Sequence, residues 1–195
     1  MFITVFADAS LNNLPDKTSS AFGYLLFLSN GFSAGMRNTC NIIGWKANKI
    51  RRKVNSTYDA EALALADALE EAVVVKDQLM KITGLSKELI LIEAYSDCQD
   101  VVSSINSSKQ NHRGGHTQID SARMREMLEE GTVHSIQLIS TNLQLADCLT
   151  KKGAAKTALI QTVENGKFFN QIKAFPFAKF QSFQPKVSNF KILQN

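Results

Sequence analysis

The chain has 195 residues, 44% hydrophobic and 21% charged, which suits one folded domain plus an appendage and excludes a disordered chain. No apolar run approaches the ~20 residues of a membrane span, so no membrane partner is expected. The net charge is +4, but residues 153–195 carry six Lys against one acid, while 1–152 carry sixteen basic against seventeen acidic residues; local basic patches on a near-neutral body suggest an anionic partner held at defined places.

In chain order, Phe2 to Ala7 is apolar and β-prone and ends in Asp8-Ala9-Ser10. With no basic region ahead of it, this stretch reads as a strand and not as a signal peptide. Leu11 to Ser20 is polar and reads as a turn. Ser20 to Ser29 is a second strand, Asn30-Gly31 signals a two-residue hairpin, and Phe32 to Gly44 is expected to return as a third, antiparallel strand. Trp45 to Asn55 is basic and irregular. A long helix capped by Ser56 or Thr57 follows, with Ala60, Leu63, Ala64, Ala68 and Val75 at helical spacing, running to about Met80 before Gly84. Leu89 to Tyr95 is a fourth strand ending in Ser96-Asp97. Helices are expected over Gln99 to Asn106 and Ile119 to Glu130, a fifth strand over Val133 to Ser140, and a last helix holding Leu145, Asp147 and Leu149. A hairpin-linked trio of strands, then strands alternating with helices, implies an α/β fold: a five-stranded mixed sheet, three antiparallel strands and then two parallel, flanked by helices.

Composition divides the chain into a domain over 1–153 and a basic, Phe-rich C-terminal extension over 154–195. Seven of the twelve Phe fall at 168, 169, 175, 177, 180, 183 and 190, without a clean helical or alternating period. The extension is expected to dock on the body, on a neighbour or on nucleic acid. Three cysteines, Cys40, Cys98 and Cys148, rule out a disulfide scaffold and favour a reducing, intracellular and cytoplasmic setting. With no C-x-x-C and three histidines, a zinc site is not expected.

Four acids stand out. Asp8 and Asp97 each close an apolar strand after a small residue, Glu61 lies in the first turn of the long helix, and Asp147 lies in the last helix. The gaps of 53, 36 and 50 residues exclude a local metal loop. If the first and fourth strands are neighbours, Asp8 and Asp97 come side by side, and such closeness of like charges needs a cation. Hard oxygen ligands without His or Cys select Mg²⁺, or Mn²⁺, over zinc. Two such ions ~3.5–4 Å apart can activate a water and stabilise a leaving oxyanion in phosphoryl displacement. The competing reading has Asp8 and Asp97 in ordinary turns and Glu61 and Asp147 on solvated helix faces.

The strings FADAS, YDAEALALADAL, AYSDCQDVVSSI and LQLADCLTK stand in the order seen in ribonucleases H. In detail the chain resembles the ribonuclease H domain of copia-type (Pseudoviridae) LTR-retrotransposon polyproteins. That pattern is a strand ending in D-A-S/D, S-T-x-A-E on a helix, a strand ending in D, then A-D-x-L-T-K. It is carried here by Asp8-Ala9-Ser10, Ser56 to Glu61, Tyr95-Ser96-Asp97 and Ala146 to Lys151, over residues 1–153. Arg123-Met124-Arg125-Glu126 resembles the family's basic stretch before its last strand. Leu11-Asn12-Asn13 stands where the family often has a longer acidic string. The resemblance implies a ribonuclease H-like fold and an endonuclease hydrolysing the RNA strand of RNA–DNA hybrids during reverse transcription, leaving 3′-hydroxyl and 5′-phosphate ends. It implies two Mg²⁺ (Mn²⁺ as the other option), with Asp8 bridging both, Glu61 and Asp97 completing one site and Asp147 the other. It also implies a reverse transcriptase polymerase domain in the same polyprotein as partner, and a virus-like particle as one setting. An integrase of this fold would place its Glu last, whereas here the Glu lies between the Asps.

For nucleic acid, Lys46, Lys49, Arg51 and Arg52 beside Trp45 are candidates to grip phosphates. Ser10, Asn12, Ser96 and Gln99, polar neighbours of the acids, are candidates for 2′-hydroxyl contacts. His112, His116 and His134 are candidates to assist product release. The rival from another functional class is a catalytically inactive ribonuclease H-like module that binds nucleic acid or a polymerase; four retained acids argue against it, because a binding module has no use for their repulsion.

Overall fold

Strand β1 (Phe2–Ser10) alternates between two apolar layers: Ile3, Val5, Ala7 and Ala9 join one hydrophobic cluster and Phe6 joins the other. A strand buried on both faces belongs at the centre of a sheet. In the computed structural model, which describes residues 1–14, 19–32, 38–107, 116–154 and 156–168, β1 is that central strand. It pairs antiparallel with β2 (Ala21–Ser29), which pairs antiparallel with β3 (Cys40–Lys49). On its other side it pairs parallel with β4 (Leu91–Ser96), which pairs parallel with β5 (Ser135–Leu138). The order β3-β2-β1-β4-β5 is the expected mixed sheet.

Helix α1 (Thr57–Thr83) covers one face. The Ser56 side chain accepts from Asp59 N at its start, and Gly84 ends it at φ 69, a left-handed conformation suited to glycine. Ala60, Ala62, Ala64, Ala66, Ala68 and Ala72 are all buried along it. Side chains this small let the helix lie close to β1, with Leu65 and Leu69 filling the remaining space. Helices α2 (Gln99–Asn106) and α3 (His116–Glu129) complete this layer, where Tyr58 Oη shares hydrogen bonds with Ser104 and Ser121. Among the described residues no helix is long and apolar enough to cross a membrane.

The opposite face carries a cluster of Phe6, Leu25, Phe27, Cys40, Tyr95, Ile139, Leu145 and Phe168, covered by α4 (Asp147–Thr150) and α5 (Thr157–Asn165). Phe168 sits within 5.1–5.7 Å of the Phe6, Phe27 and Phe32 ring centres. Its backbone is tied to the sheet edge: Phe168 N donates to Asn38 O and Cys40 N donates to Gly166 O.

Three sequence expectations are corrected. Asn30-Gly31 is not a two-residue hairpin, because β2 and β3 are joined by residues 30–39 and β3 begins at Cys40, not Phe32. Burial decides this: the Phe32 ring enters the aromatic cluster, and its N–H donates to the buried Glu93 carboxylate at 2.7 Å. Trp45 to Lys49 are therefore strand, not irregular chain. The stretch beyond 153, expected to lack a helical period, contains a nine-residue helix, α5. Gly114 and Gly115, His112, the His116 side chain and the tail phenylalanines from Phe169 on lie outside the described residues.

Truncating Phe168 to Ala leaves a cavity among three rings. The expected loss is about 3–5 kcal/mol of unfolding free energy in a denaturant titration. An unchanged midpoint would show that this residue does not seal the second face.

Candidate metal centre

The parallel register of β1 and β4 sets Phe6 opposite Tyr95. Two residues further on, Asp8 and Asp97 therefore leave neighbouring strands side by side. The close approach of α1 brings Glu61 over the same strand ends, where it accepts a hydrogen bond from the Ala9 backbone. Carboxylate oxygens of Asp8, Glu61 and Asp97 all lie within 4.8 Å of one another. Asp8 is fully buried and Glu61 is 5% exposed.

Asp147 joins from α4 through its neighbours. Thr150 Oγ1 donates to Asp8 Oδ2, and Lys151 Nζ bonds both Asp8 Oδ1, at 3.3 Å, and Asp147 Oδ1. α4 is held over the strand ends by Gln144, which donates to Ala7 O at 2.9 Å, and by Ser10 Oγ, which donates to Thr150 O. It also rests on bare backbone. A Cβ at Gly23, which pairs with Asp8 on β2, would lie 2.8 Å from Leu149 Cβ, so glycine is what lets α4 settle there.

Charge and burial conflict at this corner. Burial first, then the Asp8 and Asp97 charges, push the Glu61 carboxyl up to about 9. Burial also raises Asp8 to about 6, against the pull of Thr150 and Lys151 and with the push of Asp147 and Asp97. For Lys151 burial works against the ammonium, but its bonds to Asp147 and Asp8 win and raise its pKa. An oxygen-only donor set that is buried and mutually repelling fits a hard divalent cation.

Among solved structures, the chain is similar to the ribonuclease H1 of the halophilic archaeon Halobacterium salinarum NRC-1, with 21% identity over 77% of this chain and 95% of that one, at a TM-score of 0.52. The fold is ribonuclease H-like. A TM-score of 0.48 is found with LC11-RNase H1, solved in complex with an RNA/DNA hybrid (16% identity, 76% and 93% of the two chains). One of 0.49 is found with the N-terminal ribonuclease H domain of a Mycobacterium tuberculosis protein (14% identity, 77% and 96%). No protein-family model and no curated protein sequence matches the chain.

On this ribonuclease H-like sheet the nucleic-acid candidates scatter. Lys46 pairs with Asp67 of α1 at 2.8 Å, and its ammonium lies 5.3 Å from the Phe22 ring centre. Arg52 pairs with Asp120 of α3. Both face acids of the helical layer and do not converge on the carboxylate cluster. Ser10 and Ser96 are buried, the first bonded to α4 and the second accepting from Cys98 N. Asn12, Lys49, Arg51 and Gln99 are exposed. His134 stands opposite Ile92 at the far end of β4, about 16 Å along the strand from Asp97, too far to serve the site.

Sequence reasoning gave no role to Thr150, Lys151, Gln144 or Gly23. Signals existed for two of them: Thr150 and Lys151 are fixed positions of the A-D-x-L-T-K string, and Lys151 lies four residues after Asp147, the spacing that brings two helical side chains together. Gln144 and Gly23 act through contacts across more than a hundred residues of sequence, where no local pattern points.

Glu61 and Asp8 hold protons in the folded state that they release when unfolded, near 4.5 and 3.8. Their contribution is therefore fully present at low pH and is lost as pH rises through the folded values of about 6 and about 9. In chelator, the melting temperature should fall from about pH 4, where the unfolded carboxyls ionise, to about pH 9. Glu61→Gln should remove most of that slope, with each kcal/mol regained at the alkaline end read as roughly 2–4 °C. Equal slopes in both proteins would show that Glu61 is not held uncharged.

Proposed function

We propose that this chain is a metal-dependent endonuclease that hydrolyses the RNA strand of RNA–DNA hybrids, with Asp8, Glu61, Asp97 and Asp147 holding two divalent ions. The observation that carries the reading is the convergence of three carboxylates, two of them buried, within 4.8 Å at the ends of β1 and β4. Burying like charges is unfavourable by several kcal/mol per ion unless something compensates, and nothing in the packing of the sheet requires acids at this place. Their order along the chain, Asp, Glu, Asp, Asp, supports the ribonuclease H assignment over an integrase-type one.

Bound ions would supply a water of lowered pKa and charge stabilisation for the departing 3′-oxygen. The chain's own part is to fix the ligands. β1 and β4 set Asp8 and Asp97 rigidly by register, the Ala9 N–H orients Glu61, and Thr150 orients Asp8. Mg²⁺ is the assigned ion because all donors are hard carboxylate oxygens. Asn12, Lys49, Arg51 and Gln99 are exposed and are the polar and basic side chains proposed to meet nucleic acid. The resemblance in four ordered motifs supports a role in reverse transcription, as the ribonuclease H part of a copia-type polyprotein beside a polymerase.

The test is cleavage of a labelled RNA–DNA hybrid, run beside RNA duplex and DNA duplex, with and without Mg²⁺. Asp97→Asn should slow hybrid cleavage by at least about 10²–10³-fold, as expected for losing several kcal/mol of charge stabilisation, while hybrid binding is kept. Substantial cleavage by Asp97→Asn would overturn the assignment. Hybrid binding without any cleavage by the unaltered chain would instead establish an inactive binding module.

A further inference from the structure

The two sides of the acidic site differ in charge. Among the described residues no lysine or arginine forms an ion pair with Glu61 or Asp97. Between Asp8 and Asp147, by contrast, an ammonium is already in place: Lys151 Nζ bonds both carboxylates, at 3.3 Å to Asp8 and closer to Asp147. The Asp8 side chain is fully buried, whereas that of Lys151 is 36% exposed. The cation thus reaches in from solvent on a flexible four-carbon stem and lends its charge to a carboxylate that cannot move. Its backbone is fixed, since Lys151 N donates to Asp147 O at the end of α4 and Thr150 is anchored on Asp8. The ammonium can therefore swing outward without any change in the fold.

We propose that Lys151 is the resident counter-cation of the Asp8–Asp147 position, a positioning residue that a divalent ion has to displace. The inference rests on the two-ion reading above and adds an order to it. An ion enters first among Asp8, Glu61 and Asp97, where Lys151 bonds one carboxylate of the three and not two of two. The second enters between Asp8 and Asp147 only by exchange with Lys151. In the metal-free protein the same ammonium offsets the repulsion between Asp8 and Asp147 and keeps α4 seated on β1.

Calorimetric titration of the full chain with Mn²⁺ alone, without nucleic acid, tests this on the unaltered protein, Lys151→Met, Lys151→Gln and Lys151→Arg. Methionine keeps much of the stem and removes the charge; glutamine does so with a polar end, in case methionine misfolds; arginine keeps the charge. The unaltered chain is expected to bind one ion tightly and a second more weakly. Both uncharged variants should tighten the second ion by roughly tenfold or more, which is about 1.4 kcal/mol of removed competition, and change the first by much less. They should also melt lower than the unaltered chain in chelator and recover with Mn²⁺, while Lys151→Arg keeps the weak second ion. Identical second-ion affinity with and without the charge at this position overturns the role of Lys151 and leaves the two-ion reading standing. Absence of ion binding in every protein overturns both.

Discussion

Like charges brought out of water repel one another more strongly than at the surface, and the corner where β1, β4, α1 and α4 meet is organised around that repulsion. Asp8 is the pivot. It is fully buried, touches Thr150 and Lys151, and lies within 4.8 Å of Glu61 and Asp97. Acids gathered here call for a cation to balance them, and Lys151 shows the fold supplying part of that balance from within.

The rigidity needed to hold acids together comes from packing on both faces of the sheet. On the α1 side, a row of alanines lets the helix approach β1 closely, so Glu61 reaches the strand ends without stretching. On the other side, Phe6 lies on the same face of β1 as Asp8 and is gripped by Phe27, Phe32, Tyr95 and Phe168. The buried Glu93 carboxylate ties that cluster to the loop after β2 through Thr4, Tyr95 and the Phe32 N–H. Residues in the stretch that composition sets apart, α5 and Phe168, thus help fix the strand that carries the central acid.

Surface charge has a different logic. Lys46, Arg52 and Arg123 pair with Asp67, Asp120 and Glu70 across the helical layer. Exposed pairs of this kind contribute at most about 1 kcal/mol each. Their effect here is to offset three of the cations on this side of the sheet with acids of the helices.

Strand and helix identity was legible in the sequence wherever one local period dominated. Phe2 to Ser10, Ser20 to Ser29, the alanine-rich helix after Ser56 and the helix Gln99 to Asn106 lie where apolar spacing and capping residues put them, and the repeated small-residue-then-Asp ending of two strands marked Asp8 and Asp97. Local pattern misled at Asn30-Gly31, because the pull on Phe32 comes from rings and a carboxylate far away in sequence. It was silent on Gln144 and Gly23 because their partners lie on other elements. The sequence by itself determined β1, β2, α1 and α2 and which acids are available, since these follow from neighbours within a few residues. Only the tertiary structure decided that β1 and β4 run in register, that α4 lands on a bare glycine, and that an ammonium stands between two of the acids, since those depend on contacts that exist only once distant segments share one core.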